Sequence, residues 1–544
     1  MAKFTPEEVG LLRKFVSDPE GNVFVVLPNA MPGMVGAAFA RYSRARGGFR
    51  ETLLREFIKE GQLDPLHADK LIDRILAGFG DDSVQEFESA HLGLEEISNL
   101  ATKAIEDRRL GAYIEQSSRY VFYDQRDEQG RFRYLREPTI MASRHARAYE
   151  ENMDFVFETY CRLIEPMQEY FRQRKPLLTA EYAIRQDHGK IHYADCAGDS
   201  ERKAFEATYR ADIRAKTCDT IRVLLPAATL TNLGMHANGR TLELMLKRLY
   251  SSELHEFKEL AEKARRALNH VVPRYVQRAE QGLMYLIETR RNMQALTDQI
   301  LVGRQVNPSP EVEVFEPQRK SATALEYAAM LYPYSEFSLA QLAEIVRLLP
   351  PSVTGRIANT YIGNRTSRRD RPGRALEFGY KWNIDMVIDF GIFRDLHRHR
   401  MCTQERQLLT TRLGFVDIPE EIVEAGHADV VRQCVNRSAE LYEAIRGDLG
   451  REIAQYVVLF GFKIRSFIGI NDRAAGHLLE LRTGPQGHKS YRRVCQDIAR
   501  KMCDIGPWWT GQVLQFVDYG QYDWPRADSE ARQRQKEARL DASE

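Results

Sequence analysis

The feature that most restricts how this chain can fold is an internal duplication. In the second half, Arg398-His399-Arg400 stands at the end of a stretch that begins near Trp382 and in which apolar residues recur periodically. In the first half, Asp107-Arg108-Arg109 closes a similar stretch. Because self-similarity between long segments is the signature of repeated structural units, we expect two copies of one fold in the chain.

A second pair of segments repeats in the same order. Asn238-Gly239-Arg240 and Asn471-Asp472-Arg473 each lead into a stretch of leucines at helical spacing. Pro308 and Pro310 make the segment between the halves too rigid to continue a helix, so we place the boundary at about residue 305. The prediction is a first repeat at 1–304, with an insertion near 124–215, and a second repeat at 305–526. Residues 527–544 mix charges without large apolar side chains and are predicted to be disordered.

Two segments of the first half carry apolar residues at helical spacing. Ser143 to Arg174 is predicted to be a long helical region. His91 to Ile105 places Leu94 and Ile97 on one face, which predicts an amphipathic helix that delivers Arg108 and Arg109 at its C-terminal end.

Composition excludes several classes of protein. The 78 Lys and Arg residues are balanced by 77 Asp and Glu residues, so no net positive field would collect polyanions, and we expect no nucleic-acid partner. The most apolar N-terminal stretch, Val23 to Ala40, is interrupted by Pro28 and Pro32. It therefore resembles neither a membrane span nor a signal peptide, and a cytoplasmic protein with no membrane partner is expected.

Metal and glycine-rich phosphate sites are also disfavoured. The seven cysteines are an odd number without a Cys-x-x-Cys pair, so neither a disulfide framework nor a zinc ribbon is expected. His397 and His399 would point about 200° apart on a helix and could not share a metal. The chain has no Gly-x-Gly-x-x-Gly or Walker-type loop, so any phosphate must be bound by side chains. Paired arginines suit that task.

These residues fall into a pattern that resembles the signature of the flavin-dependent thymidylate synthases. That signature runs Arg-His-Arg, seven residues, Ser, and then commonly Gly-Arg-Tyr. The first repeat agrees at Glu115, Ser117 and Arg119 but has Asp107 and Arg108 where the family has Arg and His.

The second repeat departs from the signature at its other end. Arg398-His399-Arg400 agrees fully, but Leu408 and Thr410 stand at the Ser and second Arg positions. The two repeats therefore retain complementary parts of one motif.

A second block of the family has Asn-x-Arg and an essential Arg eleven residues after the Asn. Asn471, Arg473 and Arg482 match it, whereas the first repeat keeps Asn238 and Arg240 but has Leu249 at the last position. The family also has an Arg three residues before a Leu-Pro. Arg222 fits this position in the first repeat, and Gln455 replaces it in the second.

The resemblance implies an α+β fold of two tandem synthase-like repeats, each with long helices packed on a mainly antiparallel sheet. It also implies reductive methylation of dUMP to dTMP, with methylenetetrahydrofolate and NADPH as co-substrates and FAD as cofactor. In that family the active site lies between subunits, so the complementary losses suggest one composite site per chain. Two chains would then form a homodimer that imitates a tetramer.

The implied roles follow the family motifs position by position. Arg482 would be catalytic and would stabilise negative charge on the uracil. The residues expected to bind the nucleotide are Glu115, Gln116, Ser117, Arg119, Arg222 and Arg398. The residues expected to bind FAD are Arg398, His399, Arg400, Asn471, Arg473, His477, Asn238 and Arg240, and no metal is expected.

Two other functions stay open because both repeats have diverged. The chain could be a flavin- and pyrimidine-nucleotide-binding relative that acts on a different substrate. It could also be a catalytically lapsed nucleotide-binding or assembly protein, which would carry no flavin.

Overall fold

The computed structural model describes residues 4–524 apart from positions 29, 32–33, 43–47, 60–61, 65–67, 69–85, 186–188, 316–321, 367–369, 371, 378–381 and 507–508. The predicted disordered segment, 527–544, lies outside the described residues. The chain divides into two compact units. The smaller one contains Met1–Glu95, Ala104–Glu115 and Asn232–Ile287, and the larger one contains Glu96–Lys103, Gln116–Thr231 and Glu288–Glu544. The larger unit therefore holds residues of both predicted repeats.

The helices and strands are labelled here in chain order. The α-helices are α1 (Pro6–Leu12), α2 (Val35–Tyr42), α3 (Phe49–Thr52), α4 (Asn99–Ile105), α5 (Pro138–Met141), α6 (Ala146–Arg174), α7 (Asp199–Ile221), α8 (Gly239–Tyr250), α9 (His255–Asn269), α10 (Pro273–Val276), α11 (Met284–Leu301), α12 (Ala322–Leu331), α13 (Leu339–Arg347), α14 (Pro351–Ile362), α15 (Phe390–Leu396), α16 (Glu420–Glu424), α17 (Ala428–Leu449), α18 (Arg451–Ala454), α19 (Asp472–Thr483), α20 (Lys489–Ile505) and α21 (Trp509–Val513). The strands are β1 (Ile58–Lys59), β2 (Gln62–Leu63), β3 (Ser89–Ser98), β4 (Gly111–Glu115), β5 (Glu181–Tyr182), β6 (Ile191–His192), β7 (Leu230–Asn238), β8 (Val312–Phe315), β9 (Trp382–Asp389), β10 (Thr403–Arg406) and β11 (Lys463–Ile470).

The two main sheets have the same strand arrangement. One has the order β3-β7-β4, and the other has the order β9-β11-β10 with β8 added at the β9 edge. In each sheet the strand that comes last in sequence lies between the two strands before it: β7 lies between β3 and β4, and β11 lies between β9 and β10. A helix follows the central strand in both sheets. The pairs β4–β7, β10–β11, β9–β11 and β8–β9 are antiparallel. The predicted α+β fold of two related repeats is therefore confirmed.

The Asn of each Asn-x-Arg motif begins the helix that follows. Asn238 Oδ1 accepts a hydrogen bond from Thr241 N at 2.9 Å at the start of α8. Asn471 Oδ1 accepts one from Ala474 N at 2.9 Å at the start of α19. Because an N-cap side chain satisfies an otherwise unpaired backbone N–H, both asparagines have a structural role independent of any ligand.

The segments that follow Arg222 and Gln455 pair with each other inside the larger unit. Pro226 and Leu459, which occupy equivalent positions in the two repeats, form an antiparallel bridge. Ala227 N donates to Val458 O at 2.8 Å, and Phe460 N donates to Leu225 O at 2.8 Å. Pairing of equivalent positions in opposite directions is what a two-fold axis produces, so an approximate two-fold relation passes through this bridge.

The long helix predicted from Ser143 to Arg174 is confirmed as α6. Its buried face includes Tyr149, Met153 and Val156, and it packs against α7 and α17. Among the described residues, no helix has both the length and the apolar character that crossing a membrane requires.

The amphipathic helix predicted from His91 to Ile105 is wrong over most of its length. Residues up to Ser98 form β3, and only the remainder forms α4. Ala90, Leu92 and Leu94 are buried while their neighbours face outward, which is the two-residue alternation of a strand. Leu94 and Ile97 match the helical spacing because the strand alternation is interrupted between them: Glu95 and Glu96 both face outward, and Glu96 has a positive φ of 57°.

Candidate active site

The Arg-His-Arg segment follows α15 in the larger unit. Arg398 is exposed, whereas His399 and Arg400 are partly buried. Arg482, in the last turn of α19, donates from Nε to His399 Nε2 at 2.8 Å. A guanidinium can only donate, so His399 Nε2 carries no proton. Burial, followed by the charges of Arg482 and His477, lowers the pKa of His399 to about 3 and keeps the imidazole neutral.

Arg119, from the first repeat, contacts three groups in the larger unit. Its Nε lies 3.0 Å from Asp219 Oδ1, and its Nη1 donates to the Tyr491 hydroxyl at 3.2 Å. Another of its nitrogens, Nη2, lies 3.4 Å from Gln486 O. Burial lowers the pKa of Arg119, but Asp219 and Asp395 outweigh burial and raise it above the ordinary value. Tyr491 and Gln486 belong to the second repeat, so this arginine joins the two.

Arg222 is the most buried of the predicted nucleotide-binding residues, with 4% of its side chain exposed. Its Nη2 donates to Asp395 Oδ2 at 3.1 Å. Burial raises the pKa of Asp395, but Arg222, Arg119 and Arg482 together outweigh burial and hold it below the ordinary value. Asp395 is therefore an ionised carboxylate shared by arginines from both repeats.

The segment around Ser117 in the first repeat is held by local and distant contacts. Ser117 Oγ accepts from Arg119 N at 3.2 Å, and Gln116 O accepts from the Tyr123 hydroxyl at 3.4 Å. The neighbouring Ser118 is buried and accepts from Arg394 Nη1, in α15, at 3.2 Å. The contacts Ser118–Arg394 and Arg119–Tyr491 thus place this segment against the second repeat.

The other predicted residues fall into two groups. Asn471, Arg473 and His477 are exposed at the start of α19, with the His477 ring 5.8 Å from that of His399. Glu115, Asn238 and Arg240 belong to the smaller unit, where Glu115 ends β4 and Arg240 forms an ion pair with Glu86. The larger unit therefore brings together Ser117, Arg119, Arg222, His399 and Arg482.

Four residues of this cluster were missed by sequence reasoning: Asp219, Asp395, His488 and Tyr491. Asp395 had a usable signal, because it stands three residues before Arg398, whereas Ala104 stands three residues before Asp107 in the first repeat. The other three lie outside the motif blocks and contact them only in the folded chain.

A cavity of about 240 Å³ adjoins Arg222 in the larger unit. Asp219, His488, Asp389 and Trp524 also line it. Burial, followed by the positive charge of Arg222, lowers the pKa of His488 to about 4, and burial raises the pKa of Asp389 to about 6. The cluster therefore lies beside a space with charged and aromatic walls that can hold a small polar group.

The fold and the site define an internally duplicated α+β protein in which motif residues of both copies share one buried, charged cluster. The sequence model of the thymidylate synthase complementing proteins matches residues 28–274 and 358–508. The chain belongs to that family, and the match in two segments agrees with the tandem duplication. The family resemblance inferred from the motifs is therefore confirmed.

Similar proteins extend over nearly the whole chain. A UPF0159 protein of Chlamydia muridarum is 34% identical over 557 aligned positions, covering 98% of each chain. A UPF0159 protein of Chlamydia pneumoniae is 33% identical and covers 97% of this chain and 98% of its own. One from Thermoplasma acidophilum is 27% identical and covers 92% of this chain and 98% of its own.

Replacing the shared carboxylate should destabilise the protein. Asp395→Asn leaves buried Arg222 without its carboxylate, so we expect the free energy of unfolding to fall by about 3 kcal/mol. Asp298→Asn is the matched control, because Asp298 is 57% exposed in its pair with Arg451, and it should cost less than about 1 kcal/mol. Chemical denaturation at neutral pH measures both. If the free energy of unfolding falls by less than about 1 kcal/mol in both variants, the role given to Asp395 is contradicted.

The buried histidines should make stability fall in acid. The pKa of His488 is about 4 in the folded chain and about 6.5 when unfolded. Between these values only the unfolded chain binds the proton, so stability is full above pH 6.5 and is lost as the pH falls towards 4. His488 caps α20, where its Nδ1 accepts a hydrogen bond from Ser490 N at 3.2 Å. His488→Asn, which keeps a capping side chain, should reduce the pH dependence of the unfolding free energy by up to about 1.4 kcal/mol per pH unit. Denaturant titrations of both proteins from pH 7 to 4.5 test this, and parallel curves would contradict it.

Proposed function

We propose that the chain catalyses the reductive methylation of dUMP to dTMP at one composite site formed by residues of both repeats. Methylenetetrahydrofolate would be the carbon donor, NADPH the reductant and FAD the bound cofactor. The observation that supports this most strongly is the convergence of Arg119 and Arg222, from the first repeat, and Arg482, from the second, around Asp395. In a chain of this family, those three arginines match motif positions that the other repeat has lost.

The nucleotide phosphate is assigned to Arg119 and Arg222. Planar guanidinium groups bind phosphate oxygens in pairs, and both side chains are largely buried, where such bonds are strong. Arg222 has five N–H donors and directs one of them to Asp395, which leaves donors for a ligand. Ser117 accepts a hydrogen bond from Arg119 N and so shapes the turn before Arg119. Glu115 and Gln116 precede it in the segment proposed to bind the nucleotide.

The uracil ring is assigned to Arg482. Its Nε is held by His399, so the orientation of its terminal nitrogens is set before the substrate arrives. A positive charge placed in advance stabilises the negative charge that develops as the ring is activated. No cysteine is needed as a nucleophile. Burial raises the pKa of Cys495 to about 12 and that of Cys434 to about 11, so both thiols are protonated at neutral pH.

The FAD site is assigned to the open face next to His399. Arg398, Arg473 and His477 are exposed there, and the guanidinium of Arg473 in the first turn of α19 suits the diphosphate of a dinucleotide. The proposed set also includes His399, Arg400 and Asn471. FAD would supply the redox chemistry when bound. His399 stays neutral and holds the Arg482 side chain through the hydrogen bond to its Nε2.

The reciprocal site is proposed to be inactive. Asp107 stands at the first motif Arg position of the first repeat, and it pairs with both Arg108 and Arg248, the latter at 3.1 Å. Leu408 and Thr410 replace the Ser and Arg that would hold a phosphate in the second repeat. One working site per chain follows, and a homodimer would carry two.

One observation favours a related enzyme with a different substrate. Asp219 and Asp395 already neutralise part of the charge of Arg119 and Arg222, so the cluster is less positive than three arginines alone. A pyrimidine substrate with less negative charge than a nucleotide would then bind more readily. Measuring the turnover of dUMP and of deoxyuridine separately distinguishes the two functions, because the first function requires the nucleotide and the second favours a less charged substrate.

Oxidation of NADPH by the purified protein, with and without dUMP, tests the main proposal. We expect a dUMP-dependent rate and formation of dTMP in the presence of methylenetetrahydrofolate. Arg482→Ala should lower kcat about 100-fold, because it removes a charge that acts on the transition state. Ser117→Ala should mainly raise the KM for dUMP.

Arg451→Ala serves as the control, because Arg451 forms a solvent-exposed pair with Asp298 and is not among the residues assigned to substrate or cofactor. Its rate should equal that of the unmodified protein. Unchanged turnover in both Arg482→Ala and Ser117→Ala would refute the site assignment, and a protein that forms no dTMP would refute the reaction.

A further inference from the structure

Tyr491 lies where one arginine from each repeat approaches the same ring. Its hydroxyl is 3.2 Å from Arg119 Nη1, and the carbon of the Arg119 guanidinium is 5.4 Å from the ring centroid. The corresponding carbon of Arg482 is 5.7 Å from that centroid. Only 4% of Tyr491 is exposed, so the surrounding chain fixes both its ring and its hydroxyl.

The chemistry of a tyrosine suits this position. A phenol oxygen accepts a hydrogen bond from a guanidinium, while the faces of the ring carry partial negative charge that attracts cations. Arg119 and Arg482 are like charges that would otherwise repel each other in a partly dehydrated cluster. Tyr491 offers each of them a favourable contact without adding a net charge.

The first repeat has nothing comparable at the equivalent position. Lys258 follows Asn238 by the same number of residues as Tyr491 follows Asn471. Lys258 is exposed on α9, and a lysine neither accepts a hydrogen bond nor presents a ring to a cation. The tyrosine therefore occurs in the repeat that also retains the late motif arginine, Arg482.

We propose that Tyr491 is a positioning residue for the composite site. Its hydroxyl orients Arg119, and its ring holds Arg482 at a set distance from Arg119. This inference rests on the proposed function, in which Arg119 binds the phosphate and Arg482 acts on the uracil. The two parts of one side chain should therefore affect different kinetic constants.

Two substitutions separate the hydroxyl from the ring. Tyr491→Phe keeps the ring and should raise the KM for dUMP about tenfold with kcat unchanged, because only the orientation of Arg119 is lost. Tyr491→Leu removes the ring as well and should also lower kcat. Tyr442→Phe, in the buried face of α17, is the control and should leave both constants unchanged. A merely structural role would instead lower kcat in both Tyr491 variants, in proportion to the fraction that folds, at constant KM.

Calorimetric binding of dUMP and deoxyuridine gives a readout that does not depend on turnover. Tyr491→Phe should lose about tenfold in affinity for dUMP and nothing for deoxyuridine, which has no phosphate. If the unmodified protein binds dUMP without forming dTMP, and Tyr491→Phe still loses the preference for dUMP, the proposed reaction fails and the inference stands. If the unmodified protein forms dTMP and Tyr491→Phe matches it in KM and in preference, the inference is overturned. A protein that binds neither compound would overturn both.

Discussion

Three arginines can share a dehydrated cluster only if a counter-charge is present, and Asp395 provides it. Arg222 contacts this carboxylate directly, and Arg119 and Arg482 lie close enough to hold its pKa down. Removing charges from water is costly, so such a cluster persists only when its partners are well matched. The geometry proposed for the active site therefore depends on a residue that belongs to neither motif block.

The duplication explains how residues from the two repeats come to share that cluster. The antiparallel bridge between Pro226 and Leu459 holds the segment after Arg222 against its counterpart in the second repeat. Near such an axis, each repeat presents the same motif positions to the other. One composite site needs each motif residue from only one of the two repeats. Arg222 persists where the second repeat has Gln455, and Arg482 persists where the first has Leu249. The complementary losses follow from this redundancy.

Much of the fold could be predicted from sequence where the signal was local. The register of Asn238 with Asn471 identified two equivalent helix starts, and the structure explains them as N-caps. Ser143 to Arg174 was long enough for its periodicity to be unambiguous. The segment from His91 to Ile105 was not, because strand β3 passes directly into α4 and both bury Leu or Ile residues.

The candidate site was harder to predict from the sequence than the fold, for a physical reason. Family motifs located the arginines, but their partners depend on tertiary contacts, and Arg119 meets Tyr491 across a sequence separation of 372 residues. No periodicity or spacing within one repeat encodes such a contact. Asp395 could have been found from the sequence, because it stands three residues before Arg398 where the first repeat has Ala104 three residues before Asp107.

The most direct test of the central claim is the number of dUMP molecules bound per chain, measured by calorimetric titration of a protein whose concentration is known from amino-acid analysis. A single site built from both repeats predicts one dUMP for each 544-residue chain. Two equivalent dUMP molecules per chain would mean that each repeat forms its own site, and it would contradict the account.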